Sequence, residues 1–261
     1  MLTVEKNGRV AVATLCRPPV NALDDALIAR LDAALDQIVD DDEVTVLHIR
    51  SDQRVFCAGA DLALMRACFS AAGGPDAMLD VVGRMQRLFA RIENAPLVTL
   101  AEIGGAALGG GMELALACDI RVAAAEATLG LPEARLGLLP GAGGTQRLAR
   151  LCGRGIASRL ILGAEVIDGA EAERLGIVQW SPPRVGLAET ARDLAARFAA
   201  LPRAALAEAK RCIAAQSDPA RDGFAEELAA SRRLYQHPET RRRVSEFLNR
   251  STTQNPSKET S

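Results

Sequence analysis

Two glutamates and a glycine triplet form the part of this sequence with the clearest chemical potential. The triplet at residues 109–111 follows an apolar run and opens a helix-like segment that contains Glu113. Further along the chain, Glu133 follows Pro132 in a second apolar setting. Glycines that open a helix expose backbone N–H groups to negative charge, and carboxyl groups in apolar surroundings can exchange protons near neutral pH. The pattern predicts a site that stabilises an oxyanion and transfers protons through two acids.

Each of these features also has a purely structural interpretation. Glu113 could be an ordinary acid in a first helical turn, and Glu133 could be a helix-start acid after proline. The glycines could simply allow two backbones to pack closely. The functional interpretation is favoured because the helix around Glu113 is apolar almost all round, where a carboxylate without a use is costly. Ala60, in the AGAD loop (residues 58–61), could supply a second amide to the same oxyanion.

Other motifs exclude several classes of enzyme. The GAGG turn (residues 141–144) lacks the GK[ST] ending of a P-loop and is interpreted as a tight turn. The sequence has neither a GxSxG elbow nor an HExxH motif, which argues against a serine hydrolase and a zinc protease. Its six cysteines form no CxxC pair and no Cys/His cluster, so no metal site is expected. His48 and His237 are interpreted as structural residues.

Composition and charge set broader limits. The chain has 261 residues, of which 49% are hydrophobic and 25% charged, as in a globular protein with a sizeable core. A net charge of −2 and an aromatic content of 3% disfavour binding to nucleic acid or to an anionic membrane surface. The N-terminus lacks the pattern of a secretory signal, and no apolar stretch approaches the ~20 residues of a membrane span. We therefore expect a soluble, cytoplasmic protein with free thiols.

Alternating strands and helices in the first half of the chain must position these residues, which predicts an α/β fold. Asn7-Gly8 is typical of a hairpin turn, and Asp24 is predicted to cap the first helix. Residues 64–75 are predicted to be flexible. The predicted strands are 2–6, 9–15, 44–49 and 97–103, and the predicted helices are 24–39 and 77–92.

Beyond Gly141 the chain is predicted to be wholly helical. Its last residues, 251–261, are polar and predicted to be disordered. The predicted helices are 142–151, 156–162, 168–175, 187–200, 203–215, 219–235 and 238–249.

Three motifs resemble the enoyl-CoA hydratase/isomerase (crotonase) family. They are FCAGADL at 56–62, GGGMELALACDIR at 109–121 and LGLPEARLGLLPGAGGTQRL at 129–148. The likeness covers most of residues 2–250. It implies a crotonase-like spiral of ββα units over residues 1–195, followed by a helical C-terminal region at 196–250 that builds a homotrimer or a hexamer.

The resemblance also implies an activity and its residues. An enoyl-CoA hydratase adds water across the 2,3 double bond of a 2-enoyl-CoA thioester and yields a 3-hydroxyacyl-CoA. Motif position matches the two oxyanion-hole amides to Ala60 and Gly110, and the two catalytic acids to Glu113 and Glu133. Coenzyme A is part of the substrate, and no metal or other cofactor is implied. The remaining positions assigned to substrate or CoA binding are Arg17, Ala22, Ala58, Asp61, Leu62, Gly109, Pro132 and Gly141.

The sequence departs from the family pattern where CoA is expected to bind. The basic residue common after the AGAD loop is replaced by Leu62, Ala63 and Leu64. The phosphates of CoA are therefore assigned to Arg17 or to basic residues from a neighbouring subunit. Three alternatives stay open: a double-bond isomerase, for which the acid equivalent to Glu133 commonly suffices, another crotonase-type acyl-CoA lyase, and a non-catalytic or RNA-binding protein of this fold. The net negative charge argues against RNA binding.

Overall fold

The structure of the protein is a computed structural model that describes residues 1–70 and 73–253. The chain divides into two compact units, Met1–Ala200 and Leu201–Ser261. The sequence-based boundary between residues 195 and 196 falls five residues before this division, inside a helix at Arg184–Ala199.

A five-stranded sheet forms the centre of the first unit. Its strand order is β1-β2-β3-β4-β6, in which β1 and β2 are antiparallel and the later neighbours are parallel. The central strands consist largely of buried apolar residues, as expected for parallel strands covered on both faces. The strands are β1 (Leu2–Asn7), β2 (Val10–Leu15), β3 (Val46–Ser51), β4 (Val98–Ile103) and β6 (Ile120–Ala123).

The predicted hairpin is confirmed, with its turn shifted by one residue. Asn7 pairs with Val10, so the two turn residues are Gly8 and Arg9. Gly8 has a φ of 60°, the left-handed conformation that glycine adopts without a steric penalty.

A second, three-stranded sheet has the order β5-β7-β8. Its strands are β5 (Ala107–Leu108), β7 (Thr128–Gly130) and β8 (Val166–Asp168). Strand β8 lies in the part of the chain that was predicted to be wholly helical, and that prediction is wrong here. The short segment is extended because it pairs antiparallel with β7, a tertiary contact that local sequence does not reveal.

Helices cover the sheets of the first unit. They are α1 (Asp25–Asp40), α2 (Leu62–Ser70), α3 (Gly74–Asn94), α4 (Gly110–Leu116), α5 (Gly144–Leu162), α6 (Gly169–Arg174) and α7 (Arg184–Ala199). The predicted cap of α1 is confirmed, since the Asp24 carboxylate accepts a hydrogen bond of 2.8 Å from the Leu27 N–H. Helix α5 is interrupted at Gly153, whose φ of 81° is not helical. Helix α7 packs against β2, β3, β4 and β6.

Helix α2 corrects the prediction that residues 64–75 are flexible. Asp61 precedes this helix, and its carboxylate accepts hydrogen bonds from the N–H groups of Ala63 and Leu64. This cap stabilises a helix that the weak apolar periodicity did not indicate. Helix α3 begins at Gly74. Residues 71 and 72, which also belong to the segment predicted to be flexible, lie outside the described residues.

The second unit contains three helices, α8 (Arg203–Ala215), α9 (Gly223–Gln236) and α10 (Pro238–Thr253). Helix α9 starts four residues later than predicted because Asp222 caps it, accepting a hydrogen bond from the Ala225 N–H. Helix α10 extends to Thr253, so disorder is wrong for 251–253, and residues 254–261 lie outside the described residues. The described helices include no candidate membrane-spanning segment.

Candidate active site

Strands β5 and β7 bring the two predicted chemical segments together. They are parallel neighbours, with Leu108 in register with Gly130, so their carboxyl ends lie at the same edge of the small sheet. Gly109 follows β5 directly, and the segment that carries Glu133 follows β7. The Gly109 N–H also donates a hydrogen bond of 3.0 Å to the Gly130 carbonyl. These strands have two and three residues, too few for a periodic signal in the sequence.

The AGAD loop places the Ala60 amide on the side away from Leu23. Leu23 donates a hydrogen bond to the Gly59 carbonyl and accepts one from the Asp61 N–H. In such a parallel bridge the N–H of the residue between the two partners points in the opposite direction. The Ala60 N–H therefore faces away from Leu23, as an oxyanion-hole donor requires.

Gly110 is the first residue of α4, so its N–H has no acceptor within the helix. A Cβ on Gly59 would lie 3.3 Å from the Gly110 nitrogen and 2.9 Å from the Leu108 carbonyl oxygen. The AGAD loop therefore lies directly against the start of α4. This close approach, together with the φ of 97° at Gly59, brings the two predicted oxyanion-hole amides into neighbouring segments.

Glu113 is a buried carboxylate held by backbone amides. Its side chain projects from the first turn of α4, the residue is 2% exposed, and its Oε1 accepts a hydrogen bond of 2.8 Å from the Gly144 N–H. The pKa of Glu113 is raised to about 7, chiefly by burial and also by the negative charge of Glu133. The amides of Gly144 and Ala142 and the charge of Arg147 act in the opposite direction. Glu113 can therefore exchange a proton near neutral pH.

Glu133 lies in a short 3-10 helix, Pro132–Leu136, and is half-buried. A Cβ on Gly109 would lie 3.0 Å from its Oε1, which places the carboxyl group beside the first glycine of the triplet. Its Oε2 is buried and has no hydrogen-bond partner in the part of the chain that the structure describes. Burial raises the pKa of Glu133. A buried carboxylate oxygen without a protein partner is typical of a group that acts on a substrate.

The GAGG turn has a role that sequence reasoning missed. It is a tight turn, with a φ of 108° at Gly143, but its Gly144 N–H binds the Glu113 carboxylate. A Cβ on Gly144 would lie 3.0 Å from Glu113 Oε1, so the carboxylate lies close to the backbone there. The available signal was its likeness to residues 109–111, since both segments place consecutive glycines at the start of a helix.

Helix α3 lies beside the start of α4 and the GAGG turn. A Cβ on Gly110 would lie 2.7 Å from Met85 Cε, and one on Gly141 would lie 3.1 Å from Val82 Cγ1. The Gln86 side-chain amide donates a hydrogen bond of 2.6 Å to the Gly141 carbonyl. These α3 side chains therefore form a wall beside the predicted oxyanion hole and the GAGG turn.

Arg17 lies beside the AGAD loop and is already paired with two carboxylates. Its Nη2 lies 2.7 Å from Asp61 Oδ2 and 2.9 Å from Asp24 Oδ2, and its Nη1 donates to the Ala22 carbonyl. The Asp61 pKa is lowered, first by the hydrogen bond from the Leu64 N–H and also by Arg17. This arrangement ties the AGAD loop to the start of α1. The assignment of Arg17 to CoA phosphates stays a prediction.

The other positions assigned to substrate or CoA binding differ in their exposure to solvent. Ala22 is buried, Ala58 and Leu62 are exposed, and Pro132 and Gly141 are half-buried. Their contacts with a substrate stay predictions.

The structural interpretation of His48 fits its position on β3. Its Nε2 lies 2.9 Å from Glu102 Oε2 on β4, without the angle of a hydrogen bond, and both side chains are largely buried. Residues 1–70 and 73–253 contain no cluster of three or more His, Cys, Asp and Glu side chains that could hold a metal ion.

Comparison with known proteins places the chain among enzymes. The family model described as enoyl-CoA hydratase/isomerase matches residues 5–254. A probable enoyl-CoA hydratase of Bacillus subtilis (strain 168) is 45% identical over 191 residues, which are 73% of this chain and 72% of that protein. The 2,3-dehydroadipyl-CoA hydratase of Escherichia coli (strain K12) is 37% identical over 253 residues, 96% of each chain.

The fold also closely matches that of solved structures. The crystal structure of an enoyl-CoA hydratase from Bacillus anthracis superposes with a TM-score of 0.89 at 32% identity, covering 95% of this chain and 96% of the other. The expected crotonase fold, α/β with a helical C-terminal region, is confirmed. The chain belongs to the enoyl-CoA hydratase/isomerase family.

Proposed function

We propose that this protein is an enoyl-CoA hydratase, which adds water across the 2,3 double bond of a 2-enoyl-CoA thioester. The observation that carries this proposal is the convergence of two carboxyl groups of raised pKa, Glu113 and Glu133, beside the AGAD loop and the start of α4. Hydration needs one group that takes a proton from water and one that gives a proton to carbon. Two acids in one site supply both.

In the proposed mechanism, the amides of Ala60 and Gly110 bind the thioester oxygen. Negative charge develops on this oxygen as the nucleophile adds, so donors fixed in advance lower the barrier. Gly110 lies at the N-terminus of α4, where the positive potential of the helix adds to the stabilisation of this charge.

The two glutamates then divide the proton transfers. Ionised Glu113 orients a water molecule and takes one of its protons as the hydroxyl group bonds to C3. Protonated Glu133 gives its proton to C2, which neutralises the enolate. A proton returns from Glu113 to Glu133 to complete the cycle. Because the two carboxyl groups interact, they titrate as a coupled pair, and a state with one proton shared between them is accessible near neutrality.

A spectrophotometric assay tests this function. Hydration removes the double bond conjugated to the thioester, so the absorbance of a short 2-enoyl-CoA should fall on addition of the protein. The expected product is the 3-hydroxyacyl-CoA, one water heavier. If short- and medium-chain substrates all stay unhydrated, the proposed function is wrong. A product in which only the double bond has moved would identify an isomerase instead.

We also propose a homotrimer, or a hexamer of two trimers, in which the second unit contributes the subunit contacts. Helices α9 and α10 expose large apolar side chains, which a monomer rarely leaves in water. Those exposed by more than two thirds are Phe224, Leu228, Tyr235 and Phe247.

We further propose that the enzyme works in the cytoplasm without a resident metal or organic cofactor. The chemistry above needs only carboxyl groups and backbone amides, and coenzyme A arrives with the substrate. Prolonged treatment with a chelator should therefore leave the hydration rate unchanged.

A further inference from the structure

Arg147 is a nearly buried cation in the first turns of α5. Its side chain is 10% exposed. Its Nε and Nη2 donate hydrogen bonds of 2.9 and 2.7 Å to Glu93 Oε2, at the end of α3. Its Nη1 donates a hydrogen bond of 3.0 Å to the Ala142 carbonyl, inside the GAGG turn. The guanidinium group therefore joins α3 to this turn.

The same turn binds Glu113, so Arg147 acts on that carboxylate through the backbone. The Gly144 N–H donates to Glu113 at 2.8 Å, two residues after the carbonyl that Arg147 holds. Gly143, between them, has a φ of 108°, and a Cβ there would overlap Arg147 Nη1. The positive φ favours glycine here, and the guanidinium in its observed position lies directly over the Gly143 Cα. At the other end of the GAGG turn, the Gln86 side-chain amide donates a hydrogen bond to the Gly141 carbonyl.

Charged groups reach Glu113 from three elements. The 3-10 helix brings Glu133, α5 brings Arg147, and α3 brings Glu93, which acts through its pair with Arg147. Strand β5 is Ala107–Leu108 and carries no charge. Burial and Glu133 favour the protonated form of Glu113, whereas the Gly144 and Ala142 amides and, as a smaller effect, the charge of Arg147 favour the ionised form. Arg147 is the cation that opposes the two effects favouring protonation.

We propose that Arg147 is a positioning residue for Glu113: it holds the GAGG turn against the Glu113 carboxylate, and the Glu93–Arg147 pair sets how much of this carboxylate is ionised. The inference rests on the proposed function of Glu113 as the group that activates water. A residue of this kind touches no substrate, yet it decides whether the water-activating group is available at neutral pH.

Two charge-removing variants should shift the titration of Glu113 in opposite directions. Arg147→Gln removes the cation and should move the titration of Glu113 to higher pH. Glu93→Gln leaves that cation uncompensated and should move it to lower pH. The titration is read by NMR of ¹³C-labelled glutamate carboxyl groups, with Glu113 assigned by its loss in Glu113→Gln. Arg150→Gln, which removes a charge from the exposed side of α5, is the matched control and should leave the titration of Glu113 unchanged.

The kinetic readout follows from the same charges. In Arg147→Gln, kcat for hydration at neutral pH should fall about ten- to hundredfold with little change in KM, and the acidic limb of the pH profile should move upward. Arg147→Lys keeps the charge but cannot hold Glu93 and the Ala142 carbonyl with one planar fork. Its Glu113 should titrate close to wild type, with kcat between the two.

A merely structural role gives a different pattern. If both Arg147→Gln and Glu93→Gln leave the Glu113 titration unmoved, or shift it in the same direction, the inference is overturned. Should Arg147→Gln not fold, Glu93→Gln and Arg147→Lys decide, because an upward or absent shift in Glu93→Gln contradicts the proposal. A wild-type protein that hydrates no 2-enoyl-CoA but shows the opposite shifts supports the role of Arg147 and rejects the proposed function.

Discussion

Glu113 and Glu133 are identical side chains in two different environments. Glu113 is almost fully buried and held by backbone amides, whereas Glu133 is half-buried, with one buried oxygen that has no hydrogen-bond partner among the described residues. The first environment fixes the carboxylate in one orientation. The second leaves an oxygen free to reach a substrate carbon. This difference supports separate roles, with Glu113 acting on water and Glu133 on C2.

Removing either acid should abolish most of the activity. We expect Glu113→Gln and Glu133→Gln each to lower kcat about 10²- to 10⁴-fold, the range of one general acid–base group. Steady-state hydration of a short 2-enoyl-CoA measures this effect. Glu189→Gln, an exposed acid on α7, is the control and should keep wild-type rates. Near-normal turnover in either active-site variant would remove that residue from the mechanism.

The raised pKa of Glu113 should also appear in the stability of the protein. Its pKa is 4.5 when exposed, as in the unfolded chain, and about 7 when folded, so the folded state binds more protons between these values. The free energy of unfolding therefore falls as pH rises through this window, by about 3 kcal/mol at most. The raised pKa of Glu133 acts in the same direction.

Glu113→Gln removes this pH-dependent loss of stability because the amide side chain cannot ionise. Its stability relative to wild type should therefore improve as pH rises from about 4.5 to about 7 and then level off. Urea denaturation at a series of pH values measures the difference. A constant difference across the series would show that Glu113 titrates alike in the folded and unfolded states.

At the scale of elements, close backbone contacts define the site. A Cβ on Gly111 would overlap the carbonyl of Cys57, just before the AGAD loop. Gly111→Ala should therefore push α4 away from this loop and separate the two oxyanion-hole amides, with a loss of several kcal/mol or of folding. Gly83→Ala on α3 is the matched control, since its Cβ would meet only Arg87 Nη1 at 3.4 Å. It should be neutral or stabilise by up to about 1 kcal/mol in chemical denaturation.

If Gly111→Ala retains wild-type stability and activity, the close approach of the two loops is not what positions the amides.

Elements that depend on neighbouring residues were predictable, and those that depend on distant contacts were not. The hairpin around Gly8 and the Asp24 cap each depend on residues close together in the sequence, so both can be predicted from it. Strand β8 exists because β7 lies beside it. The hydrogen bond from the Gly144 N–H to Glu113 joins residues 31 positions apart, so the sequence predicts only a tight turn at residues 141–144. The roles of the two glutamates came from motif resemblance, since spacing alone could not show that they converge.

For the whole molecule, the large apolar side chains that α9 and α10 expose make the proposed assembly testable. The double variant Phe224→Asp/Leu228→Asp should convert the proposed trimer or hexamer to monomers, because burying these charges without partners is costly. Sedimentation velocity reads the oligomeric state. Val185→Asp, at a side chain of the first unit that is more exposed than either, is the comparison and should keep the assembly. A wild-type protein that sediments as a monomer contradicts the proposed assembly.

If two carboxyl groups add water to a 2-enoyl-CoA, the hydroxyl oxygen of the product comes from solvent. The most direct measurement is mass spectrometry of the product formed from a short 2-enoyl-CoA in H₂¹⁸O. The expected result is a 3-hydroxyacyl-CoA carrying one ¹⁸O atom, formed by wild type and largely lost in Glu113→Gln and Glu133→Gln. An unlabelled product with a shifted double bond, or unchanged substrate, would contradict this mechanism.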